Sequence, residues 1–482
     1  MVTSATKRIV IEPVTRVEGH GKVTILLDEQ NRVQQARLHV VEFRGFERFI
    51  QGRPFWEVPV LVQRLCGICP VSHHLCAAKA VDGILGIDRL TPTGEKMRRL
   101  MHYGQMFQSH ALHFFHLASP DLLFGFDAPV EQRNMIGVIA HHPDLALQGV
   151  MMRKFGQEIV KATAGKKVHG TGAIPGGINK NLSVAERDVL LADMDRMLEW
   201  SRKAVAIARE YTLRNLEKVA SFGSFDSNHL SIVRADGAMD LYHGKLRAID
   251  ARGAKILDQV DPLDYLEVIA EEVRSWSYMK FPYLKSLGAA EGWFRVGPLA
   301  RVNVCDFIDT PEAEAARREF LGLSGGRPSN VTLAYHWARM IELLHSAEVI
   351  RRLLHDPDLQ GDDLVAPAGE RRGEFVAMIE APRGTLTHHY RVDENDQVTM
   401  ANLIVSTTCN NEAMNRAVRR IADEHLSGRP VITEGLLNNI EVGIRAYDPC
   451  LSCATHALGQ MPLEVTLLGP DSAVLDRQTR AG

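Results

Sequence analysis

The sequence lacks the features that mark several large classes of protein. Its 56 Lys and Arg residues nearly balance 59 Asp and Glu residues, leaving a net charge of -3, so it has neither a basic field for nucleic acid nor an acidic tail. No run of 18 apolar residues occurs, and residues 1–13 contain neither an apolar signal core nor a twin-arginine pair. We therefore expect no nucleic-acid partner, no direct membrane span and no export signal.

Cysteine is also scarce, with 7 residues in a chain of 482. An odd and sparse count disfavours a disulfide framework and favours a reducing compartment, so we predict a cytoplasmic protein. Three of the cysteines, Cys76, Cys305 and Cys409, have no close cysteine neighbour in the sequence and are expected to be inert core thiols. The other four form two C-x-x-C pairs, which we expect to serve chemistry rather than cross-linking.

Hydrophobic periodicity predicts a mainly helical protein. Period-two alternation over residues 8–42 predicts a small antiparallel sheet at the N-terminus. Apolar residues at three- and four-residue spacing then predict long helices, the first of which begins near Thr91 with a cap, a proline and a glutamate. Further helical segments are 132–165, 184–219, 327–356 and 409–426. Since no linker and no fixed repeat interrupts this pattern, we expect a single domain over 1–482, mainly α with the small sheet, in the α+β class.

The two C-x-x-C pairs, Cys66 with Cys69 and Cys450 with Cys453, are far apart, because Cys450 follows Cys69 by 381 positions. A zinc ribbon separates its pairs by only about 15–20 residues. Closing the longer loop costs only about 2.7 kcal/mol more, which a folded core offsets. Four converging thiolates select a soft metal such as zinc, nickel or iron, and spacing alone ranks zinc first.

The residues around the cysteines point to a particular family. The segments RLCGICPVSHH (64–74) and DPCLSCATH (448–456) resemble the two metal-binding signatures of the large subunit of nickel-iron hydrogenases. Among the members of that family, the chain is most similar to the cytoplasmic, NAD-reducing bidirectional group, and the resemblance implies the long-helix bundle of the family. Further matching segments are RVEGHG (16–21), FRGFERFIQGR (43–53), HFFHL (113–117), VGPLARVN (296–303) and EAPRGTLTHH (380–389).

This resemblance implies a catalytic metal centre. Nickel would be bound by all four thiolates, and Cys69 and Cys453 would also bridge to an iron that carries carbon monoxide and two cyanides. Cys66 and Cys450 would be terminal ligands. Dihydrogen would be split heterolytically between the metals, with Cys450 accepting the proton.

Glu18, in RVEGHG, matches the family's candidate for moving this proton from Cys450 toward solvent. A carboxyl group suits that role because it can both accept and donate a proton at hydrogen-bond distance. The alternative is an ordinary ion pair with Arg16, which would share the strand face of Glu18 by the two-residue period.

Five further residues match the surroundings of the family's active site. Arg383 would lie over the metals as a fixed cation, and Asp121 and Asp448 would orient it. Pro382 and Thr407 would face the cyanides, although the residue before Thr407 is serine where the family commonly has proline. Outside this context, Asp121 would be a helix-end carboxylate and Asp448 a turn residue before proline.

Glu47 and His456 match a divalent-cation site of the family, usually magnesium, near the end of the chain. Taken alone, Glu47 would instead be a solvated partner of Arg44. The histidines at 110, 113 and 116 recur every three residues on a predicted helix, and we interpret them as packing and hydrogen-bonding residues rather than metal ligands.

The sequence shows no evident site for a cofactor that would carry electrons away from the metal centre. An iron-sulfur cluster commonly needs four cysteines, and only three remain outside the quartet. The segment GTGAIPGG (170–177) resembles a nucleotide loop but has Pro175 where a third glycine is needed. We expect no iron-sulfur cluster and no nucleotide here, and the resemblance implies diaphorase subunits that bind flavin and NAD, together with an iron-sulfur small subunit.

Two other functions are compatible with parts of the pattern. Quinone-reducing respiratory complexes contain a subunit of the same fold in which the metal site has become a quinone cavity, but those subunits lack the cysteine quartet. A structural zinc protein would keep the quartet without the catalysis, and metal analysis separates it from a hydrogenase.

The tail after His456, residues 457–482, contains the strand-like run LEVTLL (463–468). In the family, a dedicated endopeptidase removes such a tail after nickel is loaded, which lets the last cysteines close over the metals. We therefore expect cleavage after His456 or Ala457. Alternation alone would equally favour a permanent edge strand.

Overall fold

The fold combines long helices with several small sheets. The computed structural model describes residues 7–455 and the strands Leu463–Leu468 and Val474–Arg480. Its longer helices are Pro70–Ile84, Pro92–Leu112, Met135–His141, Pro143–Ala164, Val184–Arg214, Pro298–Val304, Pro311–Gly322, Ala334–Leu354, Asn411–His425 and Glu434–Ala446. Shorter helical turns are Phe46–Phe49, Val58–Leu61, Ser119–Phe124, Leu216–Ser221, Tyr265–Val268, Gly288–Glu291 and Ser406–Cys409.

The helix Pro92–Leu112 begins as its sequence predicts. Thr91 caps it by accepting a hydrogen bond from Gly94 N at 3.1 Å, and proline occupies the first turn. The helix packs against Pro143–Ala164, and the contact is close because Gly104 has no side chain: a Cβ there would lie 2.6 Å from Ile159. The helix continues into a π-helical segment, His113–Ala118, which periodicity did not reveal.

Two predicted helices are interrupted in the structure. The segment predicted at 132–165 forms Met135–His141 and Pro143–Ala164, because Pro143 cannot donate a backbone hydrogen bond to the preceding turn. The segment predicted at 184–219 divides at Asn215, where the backbone leaves the helical conformation.

The N-terminal sheet was predicted correctly. Strands Lys7–Ile11, Gly21–Leu27 and Val33–Val40 pair antiparallel in that order. Alternate residues such as Val23 and Ile25 are fully buried, in agreement with the alternation of the sequence.

Several other sheets were not predicted from the sequence. One is antiparallel, with strands Glu374–Ala381, Gly384–Val392 and Val398–Ile404. Another has the order Phe294–Arg295, Asn228–Val233, Lys245–Ile249, Lys255–Val260, and two-stranded pairs join Ile269–Glu272 to Phe281–Leu284 and Ala173–Ile174 to Gly177–Ile178. By contrast, the strand-like run LEVTLL does form the strand Leu463–Leu468, which pairs antiparallel with Val474–Arg480. Gly384–Val392 is buried on both faces over most of its length, so it shows little polar alternation to detect. The α+β class itself is confirmed.

The large hydrophobic core draws on both ends of the described chain, from Val14 to Ala454. The helix Ala334–Leu354 lies within it, with nearly every residue buried. Among residues 7–455, no helix combines the length and the apolar character needed to cross a bilayer.

Candidate metal centre

The four cysteines of the two C-x-x-C pairs meet at one buried point. Their sulfur atoms all lie within 4.8 Å of one another, and none of the four is in a disulfide. The separations are 3.4 Å between Cys66 and Cys450, 3.6 Å between Cys69 and Cys453, and 2.9 Å between Cys450 and Cys453. Two sulfurs that share a metal at about 2.3 Å lie no more than about 4.6 Å apart, and these three separations are within that limit, so the donor set could hold one soft metal.

The N-terminal pair is held at the beginning of a helix. Cys66 follows the turn Val62–Leu65 in an extended conformation, and its sulfur accepts backbone hydrogen bonds from Ile68 at 3.1 Å and Cys69 at 3.3 Å. Cys69 immediately precedes the helix Pro70–Ile84. Backbone N–H groups at a helix N-terminus favour the thiolate form of a nearby cysteine.

The C-terminal pair is held against the loop that carries Glu18. Leu451 N donates to the carbonyl of Glu18 at 3.0 Å, and Cys450 N donates to Thr407 Oγ1 at 2.9 Å. Gly19 makes this approach possible, because a Cβ there would lie 2.7 Å from Ser452 N. Thr407 could be identified in the sequence through its match to the family. Nothing in the sequence indicated the contact between the loop of Glu18 and residues 450–452.

Glu18 contacts the thiol of Cys450 directly, with 2.9 Å between Sγ and Oε2. Burial raises the pKa of Glu18, and the negative charge of Cys66 raises it further. Burial also raises the pKa of Cys450 well above that of a free thiol, whereas hydrogen bonds from neighbouring thiols hold the pKa of Cys66 well below it. The pair of Cys450 and Glu18 therefore offers two adjacent groups that can each hold a proton.

Arg383 lies beside the quartet at the turn between two strands. It is 3% exposed and donates through Nε to the Asp448 carbonyl at 2.6 Å and through Nη2 to Asp448 Oδ1 at 3.0 Å. Burial raises the pKa of Asp448, and the charge of Arg383 opposes that rise. A narrow cavity of roughly 10 Å³ adjoins Arg383; residues that line it include Cys69, Pro382, Arg383, Thr407, Cys450 and Cys453.

The expectation that Asp121 also orients Arg383 requires correction. Asp121 instead accepts hydrogen bonds from Arg16 at 2.6 Å and from Arg445 at 2.9 Å. Arg445 lies within the helix Glu434–Ala446, whereas Arg383 reaches residues beyond the end of that helix. The alternative pair of Arg16 with Glu18 is also wrong, because the positive φ of 55° at Arg16 interrupts the strand alternation on which it depended.

Glu47 is buried, at 6% exposure, and its Oε1 accepts a hydrogen bond from Leu403 N at 2.8 Å. It is therefore not a solvated partner of Arg44, whose side chain donates to Leu65 O at 2.8 Å. His456, the predicted partner of Glu47 in the divalent-cation site, lies outside the described residues.

The three remaining cysteines are buried, as expected of core thiols. Burial raises the pKa of Cys76 to about 12 and that of Cys305 to about 11, so both stay protonated at neutral pH. The histidines of the long helix make hydrogen bonds, since His110 Nε2 lies 2.7 Å from Glu342 and His113 Nε2 lies 2.7 Å from the carbonyl of Arg445.

Sequence reasoning missed a buried arginine that supports the turn at Arg383. All five N–H groups of Arg301 are used, and its acceptors are Glu342, Glu380, Ala381 O and Pro382 O. The signal that could have revealed it is a charged residue inside the apolar segment VGPLARVN, which must find partners if it is buried.

Known proteins match this chain over most of its length. A family model described as nickel-dependent hydrogenase matches residues 44–128 and 239–456, and a model described as HoxL-like matches residues 8–43. The NAD-reducing hydrogenase HoxS subunit beta of Cupriavidus necator is 51% identical over 98% of this chain and 100% of its own length. An F420-non-reducing hydrogenase subunit of Methanothermobacter thermautotrophicus is 42% identical over 96% of this chain and 98% of its own length.

Solved structures agree with these matches. The crystal structure of an NAD+-reducing NiFe hydrogenase in the H2-reduced state has a TM-score of 0.92 and 56% identity, covering 94% of this chain and 100% of that chain. The Ni-Fe-Se hydrogenase of D. vulgaris Hildenborough, at 23% identity, covers the same shares with a TM-score of 0.74 and shows the fold alone. The converging cysteines, the matched fold and the near full-length relatives together establish that this chain belongs to the nickel-dependent hydrogenase family, in which it is a catalytic large subunit.

Proposed function

We propose that this hydrogenase subunit holds a nickel-iron centre whose iron carries carbon monoxide and two cyanides, and that it cleaves and forms dihydrogen reversibly. Cys66, Cys69, Cys450 and Cys453 would all hold nickel, and Cys69 and Cys453 would hold iron as well. When bound, the metals supply the Lewis acidity that polarises dihydrogen for heterolytic cleavage. The observation that carries the proposal is the buried thiol quartet with a carboxyl group 2.9 Å from one member.

Proton transfer falls to Cys450 and Glu18. The thiolate of Cys450 accepts the proton, and Glu18 takes it on because its Oε2 lies at hydrogen-bond distance from that sulfur. Burial raises the pKa of Glu18. The pKa therefore moves toward neutral pH, which makes it easier for the carboxyl group both to accept a proton and to release it.

Arg383, Pro382 and Thr407 form the surroundings of the iron ligands. Four thiolates, two cyanides and two divalent metals sum formally to about minus two, and the guanidinium of Arg383 adds a cation that does not deprotonate. Thr407 Oγ1 accepts a hydrogen bond from Cys450 N, so its own hydrogen is available to donate to a cyanide. Asp448 orients Arg383 by accepting both of its hydrogen bonds, one at the carbonyl and one at the carboxylate.

We also assign a magnesium ion to Glu47 and His456. The chemistry of Glu47 supports this, because a carboxylate oxygen is the kind of ligand that a hard cation prefers. The ion would tie the end of the chain to the segment Phe46–Phe49, which carries Glu47.

Electrons leave through other polypeptides of a cytoplasmic complex. We assign an iron-sulfur small subunit, and diaphorase subunits that bind flavin and NAD, with NAD as the final acceptor. The names of the relatives support this, since one is the beta subunit of an NAD-reducing hydrogenase and another is an NAD+-reducing NiFe hydrogenase.

Maturation completes the site. We infer that an endopeptidase removes residues 457–482 from the single domain once the metals are loaded. Removing those 26 residues from 482 leaves 456, or about 95% of the chain, close to the 94% that aligns with the whole of the solved NAD+-reducing relative.

Elemental analysis and infrared spectroscopy of the purified complex test the metal centre. We expect about one nickel per large subunit and bands of metal-bound carbon monoxide and cyanide. Zinc in place of nickel would establish the structural alternative, and the quinone-site alternative is already disfavoured by the intact quartet.

The variant Glu18→Gln tests the proton role. Its amide keeps the shape of the carboxyl but cannot relay a proton, so metal content and infrared bands should persist while exchange between dihydrogen and deuterated water collapses. Loss of metal together with exchange would make Glu18 a structural residue instead.

A further inference from the structure

A chain of hydrogen bonds leads from the thiol of Cys450 to the surface of the protein. Its first link is the contact between Cys450 Sγ and Glu18 Oε2, at 2.9 Å. Ser452 N donates to the same Oε2 at 3.2 Å, and the hydroxyl of Ser452 donates to Glu42 Oε2 at 3.0 Å. The other carboxylate oxygen of Glu42, Oε1, is hydrogen-bonded to Nδ1 of His20. These contacts join the buried thiol to His20.

The end of the N-terminal sheet brings the two outer members of this chain together. The register pairs Gly21 with Val40 at the ends of two antiparallel strands. His20 directly precedes Gly21, and Glu42 follows Val40 by two residues, so both leave the sheet at the same end. The side chain of Glu42 is 25% exposed and that of His20 is 71% exposed. The outer end of the chain is therefore open to water.

The hydroxyl of Ser452 is suited to link two carboxyl groups, because a serine hydroxyl has one hydrogen to donate and two lone pairs that accept. Its hydrogen is donated to Glu42. Burial raises the pKa of Glu18, and hydrogen bonds from the side chains of Cys450 and Ser452 oppose that rise. The hydroxyl can therefore accept a proton from Glu18 while it gives its own to Glu42. An ordinary ion pair at the surface would not need Glu42 to reach inward to Ser452.

We propose that Glu42 and His20 form the proton exit of this subunit, connected to Glu18 by the hydroxyl of Ser452. This inference rests on the proposed function, in which Glu18 takes the proton from Cys450. Protonated Glu18 gives its proton to the Ser452 oxygen while the Ser452 hydrogen moves to Glu42. Glu42 then protonates His20 at Nδ1, and His20 releases a proton from Nε2 to water. One proton enters the chain and one leaves it, and the reverse sequence supplies protons when dihydrogen is formed.

The test measures exchange between dihydrogen and deuterated water by the metal-loaded complex in dilute buffer. Glu42→Gln keeps the shape of the side chain and an acceptor oxygen but cannot carry a proton, and His20→Ala removes the exposed end. His243→Ala is the matched control, because His243 Nε2 lies 2.9 Å from Glu95 in another histidine–carboxylate pair at the surface, whose carboxylate is bonded to Arg99. Nickel content and the infrared bands are measured on the same samples.

We expect Glu42→Gln to lower the exchange rate by about 10²-fold, because a positioned proton-transfer group typically contributes that much or more. His20→Ala should also slow exchange, and added imidazole should restore most of its rate, since a small base can replace an exposed side chain. Imidazole should not restore Glu42→Gln, because the break then lies inside the chain of hydrogen bonds. Both variants should keep wild-type nickel content and bands, and His243→Ala should exchange at the wild-type rate.

Wild-type exchange rates in both Glu42→Gln and His20→Ala would overturn the proposal and indicate that Glu18 gives its proton directly to water. A slow His20→Ala variant that imidazole does not restore, or a loss of nickel together with the rate, would also overturn it and make the pair structural. Absence of exchange and of carbon monoxide and cyanide bands in the wild-type complex would instead refute the proposed function.

Discussion

Gly19 is the position at which the contact between Glu18 and Cys450 can be tested without removing either group. The backbone at Gly19 has φ of +81°, and a Cβ added there would lie 2.7 Å from Ser452 N and 2.9 Å from Leu451 Cβ. Non-bonded atoms do not approach a Cβ this closely, so Gly19→Ala must push the two segments apart. The hydrogen bond from Leu451 N to Glu18 O, at 3.0 Å, spans the same contact.

The loss of stability caused by Gly19→Ala has two parts, which a control substitution can separate. A Cβ in the left-handed region costs about 1–2 kcal/mol. Overpacking against backbone adds about 1–3 kcal/mol. Gly52→Ala carries only the first part, because its φ is +78° and no atom lies within 4 Å of the added Cβ.

Function should respond more sharply than stability. A displacement of Glu18 by about 1 Å would lower the rate of proton exchange by about 10²-fold. The assay is exchange between dihydrogen and deuterated water by the loaded complex, with nickel content and thermal unfolding measured on the same samples. Gly52→Ala should exchange at the wild-type rate. Normal exchange in a nickel-loaded Gly19→Ala variant would refute the reasoning that this contact carries the proton.

Four further outcomes are expected. Cys450→Ser should abolish hydrogen turnover and lower nickel retention, because oxygen is a weaker ligand for nickel than thiolate; normal turnover would remove Cys450 as the proton acceptor. Burial opposes the ionisation of Asp240, but Arg99 and backbone N–H groups lower its pKa from 3.8 to about 2. The pKa of Asp240 is lower in the folded state than in the unfolded state. Ionised Asp240 therefore adds about 2 kcal/mol to the free energy of unfolding above about pH 4, and this contribution is lost as the pH falls toward 2. Urea unfolding of the metal-free chain between pH 7 and pH 3 should show a smaller loss of stability for Asp240→Asn, and equal losses would contradict the assignment. The isolated chain should not reduce NAD with hydrogen; if it does, the proposed electron-transfer partners are unnecessary. The intact mass of active, nickel-containing enzyme should correspond to a chain that ends at His456 or Ala457. Active enzyme that keeps all of residues 457–482 would exclude processing.

The convergence of the four cysteines could be predicted from the sequence because the information for it is local. Each C-x-x-C pair places two thiols on one turn, and the residues beside each pair match one family. The N-terminal sheet could be predicted for the same reason, since the strands Gly21–Leu27 and Val33–Val40 each bury one face and partly expose the other.

Other features depend on partners that are distant in sequence. Asp121 was assigned to Arg383, but Arg16 and Arg445 are its partners, and only the folded chain brings them together. The strands Glu374–Ala381 and Gly384–Val392 were missed because burial on both faces removes the alternation that identifies a strand.

The opposite positions of the two cysteine pairs in the chain have a physical consequence. Cys66 and Cys69 belong to a turn and helix start whose donors are their own neighbours, so this half of the site needs little beyond local structure. Cys450 and Cys453 depend on a helix end that takes its hydrogen bonds from a π-helical segment, a buried helix and a strand turn. The second half of the site therefore depends on contacts between parts of the core that are distant in sequence. This difference agrees with our proposal that the metals are loaded before the tail is removed, because the N-terminal pair needs none of these three contacts to present its two thiols.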